Sequence, residues 1–206
     1  MMNRFYRLSI LSAVLVLILG QPPTFAERPG NGPKSSILDA GDPHDPDTYS
    51  MQEIIDAGHG FFGKTTGGFA KAVEYAFKKS GPPSAYIVGE EGAGAFVGGL
   101  RYGEGTLYPK TGGKHKVYWQ GPSVGFDFGA NGSRTLTLVY NMRLPRQIYS
   151  RFYGVEGSAY FVGGVGVNFQ QDDQLRLAPI RTGVGARLGA NIGYLKYTPH
   201  PTWNPF

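Results

Sequence analysis

From residue 85 to residue 197 the chain runs with a period of two, apolar side chains recurring at every second position and glycine taking many of the positions between them. Over residues 123–131 one face carries Val124, Phe126, Phe128 and Ala130, and the other carries Ser123, Gly125, Asp127, Gly129 and Asn131. Residues 183–193 repeat the device, with Val184, Ala186, Leu188, Ala190 and Ile192 set against Gly183, Gly185, Arg187, Gly189, Asn191 and Gly193. A period of two belongs to a β-strand with one buried face. Glycine at alternate positions lets such a strand coil sharply and brings another backbone close. Of the 32 glycines, 22 lie between Gly89 and Gly193, a density about three times the usual ~7 %. No G-X-Y repeat accompanies them, which excludes collagen, and the interleaved apolar residues exclude plain disorder.

Segments 85–90, 93–108, 114–120, 123–130, 134–142, 158–170, 174–180 and 182–197 read as strands. Gly112-Gly113 and Asn131-Gly132 are hairpin signals, and Asp172-Asp173 is a third turn. Between two meanders, residues 144–153 place Ile148 and Phe152 one helical turn apart and end at Gly154, which predicts a short inserted helix. Upstream, Ser50-Met51-Gln52-Glu53 is a capping box followed by Ile54 and Ile55, with Gly58 and Gly60 as breakers. A second helix spans residues 67–80, where Phe69, Val73 and Phe77 recur at four-residue spacing, Gly81 supplies a left-handed cap and Pro82-Pro83 the stop. The expected fold is mainly β: a small antiparallel glycine-rich barrel of about eight strands, preceded by two short helices and carrying one inserted helix.

The N-terminus predicts export. Arg4 and Arg7 precede an apolar run over residues 8–19, then Pro22 and Pro23, and small residues lead to a cleavage site near Ala26. That run falls short of the ~20 residues a membrane-spanning helix requires. Removing the first 26 of 206 residues leaves 180 and lowers the formal charge from +5 to +3. The chain has no cysteine, so no lipoprotein anchor and no disulfide supports it, and its core must do so. The expected organisation is a signal peptide over 1–26, a proline-rich flexible leader over 27–48 and one domain over 49–206. Within that domain the helices take 50–80, the barrel 84–197 and an irregular tail 198–206. The expected location is the periplasm.

Gly58 to Thr65, GHGFFGKT, matches the phosphate-loop pattern letter for letter. A working phosphate loop follows a buried strand and opens a helix, so that backbone N–H groups converge on the phosphates. Here the preceding MQEIIDA is a polar helix, and an antiparallel meander follows. No nucleotide, nucleic acid or other cofactor is expected. His44, His59, His115 and His200 sit far apart without metal spacing. Glu90-Glu91 and Asp172-Asp173 are adjacent pairs that point to opposite faces of a strand and read as solvated turn residues. Asp127, flanked by glycines, reads as one half of an internal salt bridge with Arg134 or Arg187. The chain is read as having no enzymatic activity.

One surface cluster combines charge and aromatics: Lys114, Lys116, Tyr118 and Trp119, beside Lys110 and His115. In an exported protein such a cluster faces lipid or lipopolysaccharide phosphates, and its alternative is a solvated hairpin tip with Trp119 in the core. The expected partners are an anionic lipid, an envelope polymer and other envelope proteins.

The stretches PPSAYIVGEEGAGAFVGGLRYGEGTLY, VYWQGPSVGFDFGANGSRTLTLVYN and GARLGANIGYLKYTPHPTWNPF resemble the EipA family of periplasmic proteins from Gram-negative bacteria. Gly98-Gly99 with Gly103 and Gly105, then Trp119 and Pro122 followed by Gly125, are also similar to the SYLF domain over the barrel; with Gly129 these are read as structural glycines. The first resemblance implies a periplasmic barrel that supports envelope integrity and stress resistance without catalysis. The second implies a lipid ligand, though residues 50–80 lack the basic amphipathic helix of some SYLF proteins. Two other readings remain: a small outer-membrane barrel, whose strands also alternate, and a cell-wall hydrolase using Asp127 or Glu104.

Overall fold

In the computed structural model, residues 45–63, 67–94, 100–122, 133–182, 193–202 and 204 are described, all within one unit, Ala40–Phe206. Helix α1 (Met51–Phe62) opens with the predicted capping box: Ser50 Oγ accepts from the Glu53 N–H while the Glu53 carboxylate accepts from the Ser50 N–H. Helix α2 (Gly67–Ser80) ends at Gly81, whose φ of 73° is the left-handed conformation expected of its cap.

Gly58 and Gly60 do not break α1, which continues to Phe62 and ends at Gly63. The reason is packing. Gly58 is buried where the two helices meet, and a Cβ there would stand 2.2 Å from the Phe69 ring. Five residues of the phosphate-loop match, Gly58 to Phe62, are therefore helical, and Lys64 and Thr65 lie outside the described residues.

The strands are β1 (Ala85–Gly94), β2 (Leu100–Pro109), β3 (His115–Pro122), β4 (Ser133–Tyr140), β5 (Arg151–Gly154), β6 (Tyr160–Val162), β7 (Val165–Val167), β8 (Gln170–Gln171), β9 (Arg176–Thr182) and β10 (Tyr194–Thr198). All pairings are antiparallel, and eight strands close a ring in the order β4-β1-β2-β3-β10-β5-β8-β9 and back to β4. The short β7 lies on β9 in the same register as β8, since Val167 opposes Ile180 and Gln170 opposes Leu177. It therefore extends the same arm of the barrel past Asn168 and Phe169, and β6 pairs with it.

Three sequence expectations change at this level. Segment 93–108 is divided, because β1 ends at Gly94 and β2 begins at its antiparallel partner Leu100. Segment 158–170 is not one strand: Gly163 and Gly164, at φ 56° and 79°, turn it back on itself between β6 and β7. The inserted helix at 144–153 shrinks to a 3-10 turn, Pro145–Ile148, and Phe152 belongs to β5. Ile148 and Phe152 are both fully buried in the barrel core, so their four-residue spacing reports a shared destination rather than a helix. Strand 123–130, the Asn131-Gly132 turn, most of 182–197 and the glycines Gly98, Gly99, Gly125 and Gly129 lie outside the described residues.

Alternation sorts the side chains into two cores. Inside the ring, Ile87, Leu107, Val117, Val139, Phe152, Leu177 and Leu195 come from seven strands and are at most 2 % exposed. On the outside, Leu136, Leu138, Val165, Val167 and Ile180 face Ile54, Phe69, Val73 and Ala76 of the helices. Each fully buried aliphatic or Phe side chain contributes about 1.5–3 kcal/mol relative to exposure. The helices thus cover one side of the barrel, reaching Tyr86 and Val88 of β1, and leave the outer face of β2, β3 and β10 without a helical layer among the described residues.

Among the interior side chains, Trp119 is the bulkiest. Its indole lies over positions without side chains: a Cβ on Gly103 would fall 2.2 Å from Trp119 Cε2, and one on Gly89 2.6 Å from Cη2. Gly105 serves a second purpose, since a Cβ there would meet the Val88 carbonyl at 2.5 Å. We predict that Gly103→Ala, which overfills this space, costs about 1–3 kcal/mol in urea unfolding. Gly92→Ala, on the same sheet with nothing within 4 Å of the added carbon, should stay within about 0.5 kcal/mol of the parent.

Candidate functional site

Toward the rim where β1, β3 and β9 end, the interior turns polar. Glu91, Arg101, Asn168 and Arg181 are all at most 6 % exposed. Glu91 does not lie in a solvated turn; it is on β1 and points inward, while its neighbour Glu90 points out. The Glu91 carboxylate receives Arg181 Nε at 2.5 Å, Trp119 Nε1 at 3.2 Å and Ser133 Oγ at 3.5 Å, with Arg101 Nη1 at 3.8 Å. Arg181 Nη1 donates in turn to Asn168 Oδ1 at 2.8 Å. An internal salt bridge is present as the sequence suggested, but between other partners. Arg134 is outside, 3.5 Å from Glu90 and donating to the Phe61 carbonyl, while Asp127 and Arg187 lie outside the described residues.

Burial alone would push the Glu91 carboxyl up; the Arg181 and Arg101 charges, with hydrogen bonds from Arg181 and Trp119, outweigh it and hold the group below its ordinary value. A carboxylate held ionised and filled by donors is unsuited to giving or taking a proton. Its chemistry is structural: it ties β1 to β9 over the intervening β4 and fixes the indole of Trp119. Among the described residues no three of His, Asp and Glu gather as metal ligands, and His59 and His200 are exposed.

The basic and aromatic cluster separates on folding. Trp119 points inward and is 2 % exposed, packed 5.7 Å from the Tyr197 ring. Tyr118, one residue earlier, points outward and is half-buried; Lys114 and Lys116 are exposed beside it, Lys114 Nζ lying 5.1 Å from the centre of the Tyr108 ring. The core alternative considered for Trp119 is the one the fold adopts, and Tyr118, Lys114 and Lys116 remain on one outer face.

On that face lies a groove of about 480 Å3 that the sequence alone did not reveal. Tyr102 and Tyr118 wall it, Gln120 and the Gly103–Trp119 layer line it, Glu90 and Glu104 stand at its edge, and Pro201 and Thr202 close it. The signal was present in the register. Glu104 opposes Tyr118 on one side and Glu90 on the other, and Tyr102 opposes Gln120, so the outward set of β1 to β3 converges on one spot.

The family model described as envelope integrity protein A, EipA, matches residues 47–206. The chain belongs to the EipA family. Among solved structures, the crystal structure of a β-barrel-like, uncharacterized protein from Brucella abortus is 58 % identical to it and covers 78 % of this chain and 99 % of its own, with a TM-score of 0.73. No curated protein matches the chain. Membership in the EipA family and the barrel fold together fit an envelope-associated role.

The buried pair yields a prediction with a sign. Because the Glu91 carboxyl sits below its unfolded value, its contribution is complete above the ordinary carboxylate range and is lost as pH falls through the lowered folded value. Glu91→Gln, which removes the negative charge facing the Arg181 and Arg101 guanidiniums, should cost about 3–5 kcal/mol at neutral pH. The gap between parent and variant in urea unfolding should narrow as the pH is taken down toward 3; a gap that stays constant or widens in acid contradicts the assignment.

Proposed function

We propose that this EipA-family protein is an exported, non-catalytic periplasmic barrel that supports envelope integrity under stress by binding a lipid or another envelope component. The observation that carries the reading is the EipA match across residues 47–206. Export is supported by Arg4 and Arg7 ahead of the apolar run at 8–19 and the small residues leading to Ala26. A non-catalytic role is supported by the interior, where the buried carboxylate is fully engaged by donors. Binding from outside is supported by the face carrying Lys114, Lys116 and Tyr118, which meets anionic head groups with charge and a ring edge.

The exterior weighs against an outer-membrane barrel. A lipid-facing barrel carries an apolar band all round. Here α1 and α2 cover the apolar outer face of β4, β7 and β9. The uncovered outer face presents Glu90, Glu104 and Lys116.

Three measurements on the parent strain, a deletion strain and its complemented derivatives test the proposal. Osmotic shock should release a soluble product that begins near Glu27. Loss of the gene should sensitise cells to detergent and to cell-wall antibiotics, and the Asp127→Asn chain should restore resistance as well as the parent. Recovery of the protein only in the outer-membrane fraction, or failure of Asp127→Asn with normal protein levels, would overturn it.

A further inference from the structure

The outer groove carries an electrostatic cost that the fold does not need. Glu90 and Glu104 are direct cross-strand partners on the outer face of β1 and β2, and like charges placed so are destabilising. Arg134 lies 3.5 Å from Glu90. Among the described residues no basic side chain lies within ion-pair distance of Glu104, which is exposed at the groove edge. The walls beside it are the rings of Tyr102 and Tyr118. Carboxylate and aromatic rings around one space are the elements that receive an ammonium group, through charge and through the negative faces of the rings.

A second observation is independent of the acids. Gln120 lines the same groove and is 1 % exposed, yet among the described residues its Nε2 finds no acceptor. A buried amide donor without a partner is costly, and one at the wall of a groove is satisfied when a ligand brings an oxygen to it. Gln120 is the diagonal neighbour of Glu104 across β2 and β3, roughly 7 Å away at the backbone. A two-carbon ammonium phosphate spans such a distance, its cation at Glu104 and its phosphate oxygen on Gln120 Nε2.

We propose that this groove binds an ammonium-bearing phosphoester, of the kind found in zwitterionic head groups such as phosphoethanolamine and phosphocholine. The inference rests on the reading that the barrel binds an envelope component and names the chemistry of that component. Lys196 opposes Gln120 across β3 and β10, and the acids oppose each other across β1 and β2, so one ligand meets positive charge at its phosphate side and negative charge at its amine side.

The test is titration of the full mature chain with phosphocholine and with phosphoethanolamine, followed by NMR shifts or calorimetry. Saturable binding is expected, weakened at least fivefold by Glu104→Gln and by Tyr118→Ala. Glu104→Gln also separates a binding role from a structural one: relief of the carboxylate repulsion should leave thermal stability equal to or above the parent while affinity falls. Pelleting with phosphatidylethanolamine or phosphatidylcholine vesicles, absent with phosphatidylglycerol alone, would assign a lipid-borne head group; binding of the soluble esters without pelleting would assign a soluble or polymer-linked one. No binding of either ester, unchanged affinity in Glu104→Gln, or binding of neutral oligosaccharides in their place overturns the proposal. Such a failure leaves the envelope role standing, because the deletion strain tests that separately.

Discussion

An indole ring inside an eight-stranded ring needs space that ordinary side chains would fill. Trp119 obtains it from Gly103 and Gly89 on the neighbouring strands, where any Cβ would fall 2.2 to 2.6 Å from its atoms. Its Nε1 is then fixed by Glu91, and Glu91 by Arg181 on β9, beyond the intervening β4. Glycine placement, aromatic filling and the buried ion pair are therefore one arrangement. The ion pair is a weak source of stability by itself, because desolvation offsets its attraction. Its use here is geometric: it holds β1, β3 and β9 in one relation and leaves the lower interior to Ile87, Leu107, Val139 and Phe152.

This division of labour decides where function resides. Among the described residues the interior holds packed apolar side chains at one end and an ion-paired polar network around Glu91 at the other, and the helices cover the outer face of β4, β7 and β9. The outer face of β2 and β3 is the surface that the helices do not cover. There the side chains are of a different kind: tyrosines, lysines and two opposed glutamates, chosen neither for a core nor for a membrane belt.

Much of this was legible in the sequence. The period of two with alternating glycine gave a barrel of about eight strands, and the capping box, Gly81 and Pro82-Pro83 marked helix ends that the structure keeps within a residue or two. The rest was hidden for identifiable reasons. Gly58 reads as a breaker because sequence shows its poor helix propensity and not the Phe69 ring that needs the space. Ile148 and Phe152 share a destination across a 3-10 turn and a strand, which imitates a helical period. Glu91 resembles a turn acid because its partner, Arg181, is 90 residues away in the chain. The groove was less legible still, since it depends on which outward residues three strands bring level with one another.

The most direct measurement concerns Trp119 itself. The chain has two tryptophans, so in a Trp203→Phe protein every tryptophan photon comes from position 119. A packed interior predicts a blue-shifted emission that acrylamide barely quenches until the barrel unfolds. Red-shifted emission quenched as readily as free indole in the folded protein would contradict the account.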